Sequence, residues 1–210
     1  MAGAGGDDEH SPRAATGDGR SPVGAPAAAA TGCGSRPAET RALFGYRVEI
    51  TTSRSSRRTS TGRFTGPGTI TLELASGLSA AERERHIDRL VRRLVASRRL
   101  PALRERIYRI ARERFAEFGL RIGQIRFREQ NRRWGSCSSR GNINLSYRLL
   151  DAPDELVEYV CIHELAHLIE FNHSPRFWAL VERADPDYRI HREQLRQLEQ
   201  GRQLPAAGNR

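Results

Sequence analysis

His163, Glu164 and His167 stand in the spacing H-E-x-x-H, and a further histidine, His173, follows after five intervening residues. On a helix each residue turns by about 100°, so positions i and i+4 lie about 40° apart around the axis. His163 and His167 can therefore aim their imidazoles at one point, where neutral nitrogens bind Zn2+ at about 2.0–2.1 Å. Glu164 lies beside that face, within reach of a metal-bound water, in the position of a general base. His173 reaches the same ion only if the chain turns back after Phe171. Asn172 tolerates the left-handed conformation that ends a helix, which predicts the turn there. Three protein ligands leave one coordination position for water or substrate. That is the pattern of a catalytic zinc, one ion per chain, rather than a structural one.

The same motif can occur on an ordinary amphipathic helix with solvated His and Glu. The window from Leu156 to Ile169 is too apolar for that, since unpaired polar groups buried in it would be costly. The histidine spacing also fits the metzincin frame, H-E-x-x-H-x-x-G-x-x-H. Glu170 occupies its glycine position, however, and the single methionine is Met1, so no Met-turn can form.

These residues need elements to hold them. Tyr46–Ile50 and Thr69–Leu74 alternate apolar and polar residues and predict strands, joined through a turn at Gly66-Pro67-Gly68 in a small antiparallel meander. Arg54, Arg57, Arg58 and Arg63 between them read as a solvated edge. Ser79-Ala-Ala-Glu82 predicts a capping box opening a helix to about Arg98, and Pro101 opens a second helix to about Phe118. Ile122–Arg128 and Asn142–Leu149 predict strands, with a donor-rich loop, Asn131–Gly141, between them. Asp151 and Asp154 are expected to cap the metal-site helix, with Pro153 in its first turn. Ser174-Pro175 begins a further helix to about Arg183. A charged helix, Arg189 to about Gln200, ends the fold, with His191 expected on its solvent side and His86 on the surface of the earlier helix.

The chain has 210 residues and a formal net charge of +10. All of its basic side chains are arginine and none is lysine, a compositional bias that tempers the nucleic-acid reading such a charge invites. Cys33, Cys137 and Cys161 are too few for a disulfide framework, and Cys161 reads as a packed core thiol. No apolar run is long enough to span a membrane and no secretory signal is recognisable, so a cytoplasmic location is expected. The expected organisation is a disordered tail over 1–42, where His10 and Cys33 need no functional role. A folded region follows over 43–200, with N-terminal strands at 43–78 and a catalytic core at 79–200. Residues 201–210 are expected to fray.

Arg133-Trp-Gly-Ser-Cys-Ser138, Gly141-Asn-Ile-Asn-Leu145, Tyr159-Val160, His163–Leu168, Asn172-His-Ser174, Phe177-Trp178 and Pro186-Asp-Tyr188 together resemble the YgjP-like metallopeptidase family. The similarity extends more distantly to the SprT-like and WLM zinc proteases and covers roughly 44–198. It implies an α+β, zincin-like fold: a small mixed sheet packed on helices, one of which carries H-E-x-x-H. It also implies that His163, His167 and His173 are the metal ligands and Glu164 the catalytic residue.

The expected chemistry is metal-assisted hydrolysis of a peptide or protein. Arg133, Tyr188 and the backbone amides of Trp134–Ser138 are candidates to stabilise the oxyanion. Asn144 and Ser146 are candidates to line the substrate side if their strand borders the cleft, and Trp134 and Ser136 are further candidates in the donor-rich loop. Trp134, like Phe177 and Trp178, is also readily read as packing around the site. Arg126, Arg128, Arg132 and Arg133 motivate a second reading, hydrolysis of a nucleotide pyrophosphate bond on the same site. A third is a DNA-associated protease of the SprT-like kind, or a nucleic-acid-binding module with a structural zinc.

Overall fold

The computed structural model describes residues 39–53 and 59–201. Residues 1–38 and 202–210 of the expected tails, with His10 and Cys33, lie outside the described residues, as do Arg54, Arg57 and Arg58. Four strands, β1 (Glu39–Leu43), β2 (Tyr46–Thr52), β3 (Thr61–Gly66) and β4 (Thr69–Leu74), form a sheet in the order β1-β2-β4-β3. The expected antiparallel meander is corrected: β2 and β4 run parallel at the centre, and β1 and β3 flank them antiparallel. Burial explains the order. Val48 and Ile50 of β2 and Ile70, Leu72 and Leu74 of β4 are fully buried, whereas neither edge strand has a fully buried residue.

Strand β1 includes residues 39–42, which the sequence had placed in the tail. Its hairpin to β2 turns through Phe44 and Gly45, both at positive φ. Phenylalanine seldom adopts that conformation, so the turn carries little sequence signal. Ion pairs anchor the strand to the helix that follows. Arg41 binds Glu84 through both terminal nitrogens at 2.7 Å, and Arg83 reaches Glu39 at 2.8 Å.

That helix, α1 (Ala80–Arg114), corrects a second expectation, because it is one helix of 35 residues with Pro101 inside it. The capping box at Ser79 and Glu82 forms as expected. Proline in a helix interior costs about 3 kcal/mol. Burial on both sides outweighs that cost: Ile87, Val91, Val95 and Ala96 pack on the four-stranded sheet, and Leu103, Ile107 and Ile110 enter the second core.

The second core lies under a three-stranded sheet of β5 (Ile125–Arg128), β6 (Gly135–Cys137) and β7 (Ile143–Ser146), in the order β5-β7-β6. Strand β7 is central, parallel to β5 and antiparallel to β6. Strand β6 falls in the segment expected to be a loop. Tyr147 to Leu149, expected to extend the strand, lie instead in a 3-10 turn over Tyr147–Asp151. Three helices complete the core: α2 (Asp154–Ala166), α3 (Pro175–Ala184) and α4 (Tyr188–Glu199). Asp151 does not cap α2. It accepts a hydrogen bond from Arg92, and Pro153 occupies the cap position without a side-chain bond. Asp154 and Glu155 in the first turn supply the negative charge that a helix N-terminus favours.

Candidate functional site

Helix α2 is buried along most of its length, with Leu156, Val160, Cys161, Ile162 and Leu165 in the core. Its last turn brings His163, Glu164 and His167 to the floor of a cleft of about 460 Å³. The helix ends at His167, earlier than expected. The amide of Leu168 donates to Leu165, and those of Ile169 and Glu170 donate to Ala166, so the chain tightens into a turn. Asn172 is not at positive φ, which corrects the expected left-handed position. Residues 171–173 bend back, and Ser174 caps α3 by accepting from the amide of Phe177.

The turn returns His173 to the other two histidines. Potential ligand atoms of His163, His167 and His173 all lie within 4.8 Å of one another, and no other such group occurs among the described residues. Nε2 of His163 and Nε2 of His173 are 3.1 Å apart. Two ligands of one tetrahedral ion, each at about 2.05 Å, would stand about 3.3 Å apart. Nδ1 of His167 donates to the carbonyl of Glu170 at 3.2 Å. A carbonyl can only accept, so the proton is on Nδ1 and Nε2 keeps its lone pair for a metal. Burial pushes His163 down to about 3, helped by its two histidine neighbours, and burial also lowers His167. Both rings are therefore neutral at neutral pH, as metal ligands must be. Phe177 packs against all three rings, and Trp178 stacks on His173.

Glu164 is 4 % exposed, and its Oε2 has no hydrogen-bond partner among the described residues. Burial raises its carboxyl to about 8, with Arg133 drawing it down. Leaving a buried carboxyl oxygen unsatisfied is costly in a site built for nothing else. The donor set and the orphaned carboxyl together fit a divalent cation. Strand β6 passes directly over this group. A Cβ on Gly135 would stand 2.9 Å from both Cγ and Cδ of Glu164, so only glycine lets the strand and the carboxyl lie this close.

The other candidate residues divide. Arg133, Trp134 and Ser136 line the cleft. Arg148 lies 4.0 Å over the Trp134 ring, and Ser136 Oγ accepts from Gln130 and Asn144. Asn144, Ser146 and Tyr188 are not among the lining residues. Strand β7 is central, not an edge, so Asn144 and Ser146 have β6 between them and the cleft. Ser146 is buried and donates to the carbonyl of Gln130. Tyr188 is buried, stacks on Trp178, and its hydroxyl accepts from Arg189.

Several lining residues were missed: Cys137, Tyr159, Phe171, Arg192 and Arg196. Cys137 and Tyr159 lay in motifs that carry the family resemblance, and Arg192 and Arg196 carried a weaker signal, their i, i+4 spacing on one helix face. His191, expected on the solvent side, is largely buried, and its Nδ1 lies 2.8 Å from the carboxylate of buried Asp185. Cys161 is fully buried, as expected of a core thiol, and burial holds it at about 12.

A helix ending in H-E-x-x-H, with a third histidine folded back onto it beneath an edge strand, is the arrangement of a metallopeptidase. The assignment becomes specific on comparison with known families: the chain belongs to the YgjP-like metallopeptidase domain family, which matches residues 36–198. Two solved structures are similar in part. The metallopeptidase zymogen abylysin of Pyrococcus abyssi shares 25 % identity over 49 % of this chain and 99 % of its own, with a TM-score of 0.40. The metallopeptidase zymogen jannalysin of Methanocaldococcus jannaschii shares 17 % identity over 46 % of this chain and 95 % of its own, with a TM-score of 0.39. A search of curated proteins finds no match. Among the described residues no helix is long and apolar enough to cross a membrane.

Proposed function

We propose that the chain hydrolyses peptide bonds with one zinc ion held by His163, His167 and His173 and with Glu164 as general base. The observation that carries this reading is the convergence of three histidines on one point beside a buried, unpartnered carboxyl. When bound, a divalent cation lowers the pKa of the water it holds and polarises the scissile carbonyl. Glu164 takes a proton from the attacking water at Oε2 and passes it to the departing amine nitrogen. The raised proton affinity of its buried carboxyl suits it to that transfer, and a cation beside it would draw the value down toward neutrality.

The free edge of β6 supports a peptide as substrate. Gly135, Ser136 and Cys137 line the cleft and pair on one side only, with β7, so an extended chain can add to the other side through backbone hydrogen bonds. Arg133 lines the cleft beside this edge and is the remaining side-chain candidate for the oxyanion, since Tyr188 is packed away from it.

Glu164→Gln should retain one bound zinc per chain while hydrolysis of an unstructured protein such as casein falls by at least about 1,000-fold. His173→Ala should lose the metal itself, read by metal analysis after gel filtration. Casein cleavage that persists in Glu164→Gln would remove the general-base role. Pyrophosphate release from nucleoside triphosphates, without casein cleavage, would remove the peptidase reading.

A further inference from the structure

Four guanidinium groups line the cleft that holds the three histidines: Arg132 and Arg133 before β6, and Arg192 and Arg196 on α4. The acidic groups in the same lining are Glu164, buried at the floor, and Glu199, which lies 3.8 Å from Arg148. The side chains of Arg132, Arg133 and Arg192 make no ion pair or hydrogen bond among the described residues. Arg192 is held 4.7 Å over the Trp178 ring, a contact that fixes the cation without neutralising it. Arg196 meets Glu193 at 3.0 Å in an exposed pair of the kind that contributes little. Elsewhere in the fold, several half-buried arginines are matched. Arg41, Arg92 and Arg114 each bind a carboxylate, and Arg99 donates to a carbonyl. The uniform use of arginine explains which cation is present, but not why the cleft has so little matching negative charge.

Resting on the peptidase reading, we propose that this cleft selects peptides with Asp or Glu side chains close to the scissile bond, and that Arg132, Arg192 and Arg196 bind those carboxylates while Arg133 is left for the oxyanion. Guanidinium forks match carboxylates in shape as well as charge, and a cleft of one sign also steers an oppositely charged chain toward it. An extended peptide added to β6 would run past Arg132 and Arg133, which immediately precede that strand.

The test uses the zinc-loaded full chain and peptides blocked at both ends, in pairs that differ only by Glu or Gln beside the cleaved bond. The Glu member should have a kcat/KM about tenfold higher, and the ratio should shrink as salt is raised. Arg192→Gln and Arg132→Gln should each narrow the ratio, and Arg192→Lys should keep most of it. Arg132 is exposed and unpaired, so its variant keeps the test valid if Arg192→Gln fails to fold. Equal kcat/KM for Glu and Gln peptides, with turnover still dependent on Glu164, would overturn the proposal and leave the peptidase reading standing. A parallel Glu/Gln pair with a free C-terminus is run as well: a preference seen there and absent from the blocked pair would also overturn the proposal and assign the arginines to the chain end. Nucleoside triphosphate hydrolysis with no peptide cleaved would overturn both.

Discussion

Gly135 and Glu164 show how much of this site depends on single atoms. The carboxyl carbon lies 2.9 Å from where a β-carbon on residue 135 would be, so Gly135→Ala must push either β6 or Glu164 aside. The expected result is retained metal with kcat reduced about 100-fold, as a displacement near 1 Å commonly costs. Equal loss of metal and activity would place the damage in the fold instead. The same burial makes a prediction about pH. In the metal-free protein the folded carboxyl keeps its proton up to about 8, whereas its ordinary value is 4.5. Between those values the folded state binds a proton that the unfolded chain has lost, so stability falls as pH rises through the window. Below about pH 6.5 the buried His163, lowered to about 3, acts in the opposite sense, because there the unfolded imidazole gains a proton that the folded one does not. In chelator, melting temperature should therefore decline from about pH 7 to 8, and Glu164→Gln should flatten that decline. Parallel slopes in the two proteins would show that another group is responsible.

At the scale of elements, the long helix and the short edge strand are the informative cases. Pro101 is a start signal by every local rule, yet α1 runs through it because both halves bury apolar faces in line. Pro101→Ala restores a backbone donor to the carbonyl one turn earlier and should raise unfolding stability by about 1–2 kcal/mol in urea titration. No gain would mean that water or a side chain already satisfies that carbonyl. Strand β6 has three residues, Gly-Ser-Cys, with no β-branched or aromatic member, and its strand character comes only from pairing with β7.

For the whole molecule, α1 ties together two hydrophobic clusters, one under each sheet, and Phe127 packs against both. The described fold should therefore unfold as one unit. Ile87→Ala in one cluster and Ile107→Ala in the other should each cost about 2–5 kcal/mol and shift the same single transition. Two separable transitions, each sensitive to one substitution, would show that the helix does not couple them.

The helix that carries H-E-x-x-H, the three histidines as candidate ligands, the role open to Glu164, and the strands β2, β4, β5 and β7 were legible in the chain alone. These are periodic or motif-borne features whose spacing is read within a few residues. Their burial pattern also foretold the core thiol Cys161. Tertiary structure decided the rest. It set the parallel pairing of β2 with β4, the continuity of α1, the place of β6 at the cleft edge, and the withdrawal of Ser146 and Tyr188 into packing. It also gathered Arg132 and Arg133 with Arg192 and Arg196, about sixty residues further along the chain. Local propensity acts over one or two turns of chain, and none of these outcomes is local. Each depends on which surfaces meet when distant segments bury their apolar faces together, and that meeting is set by the whole core.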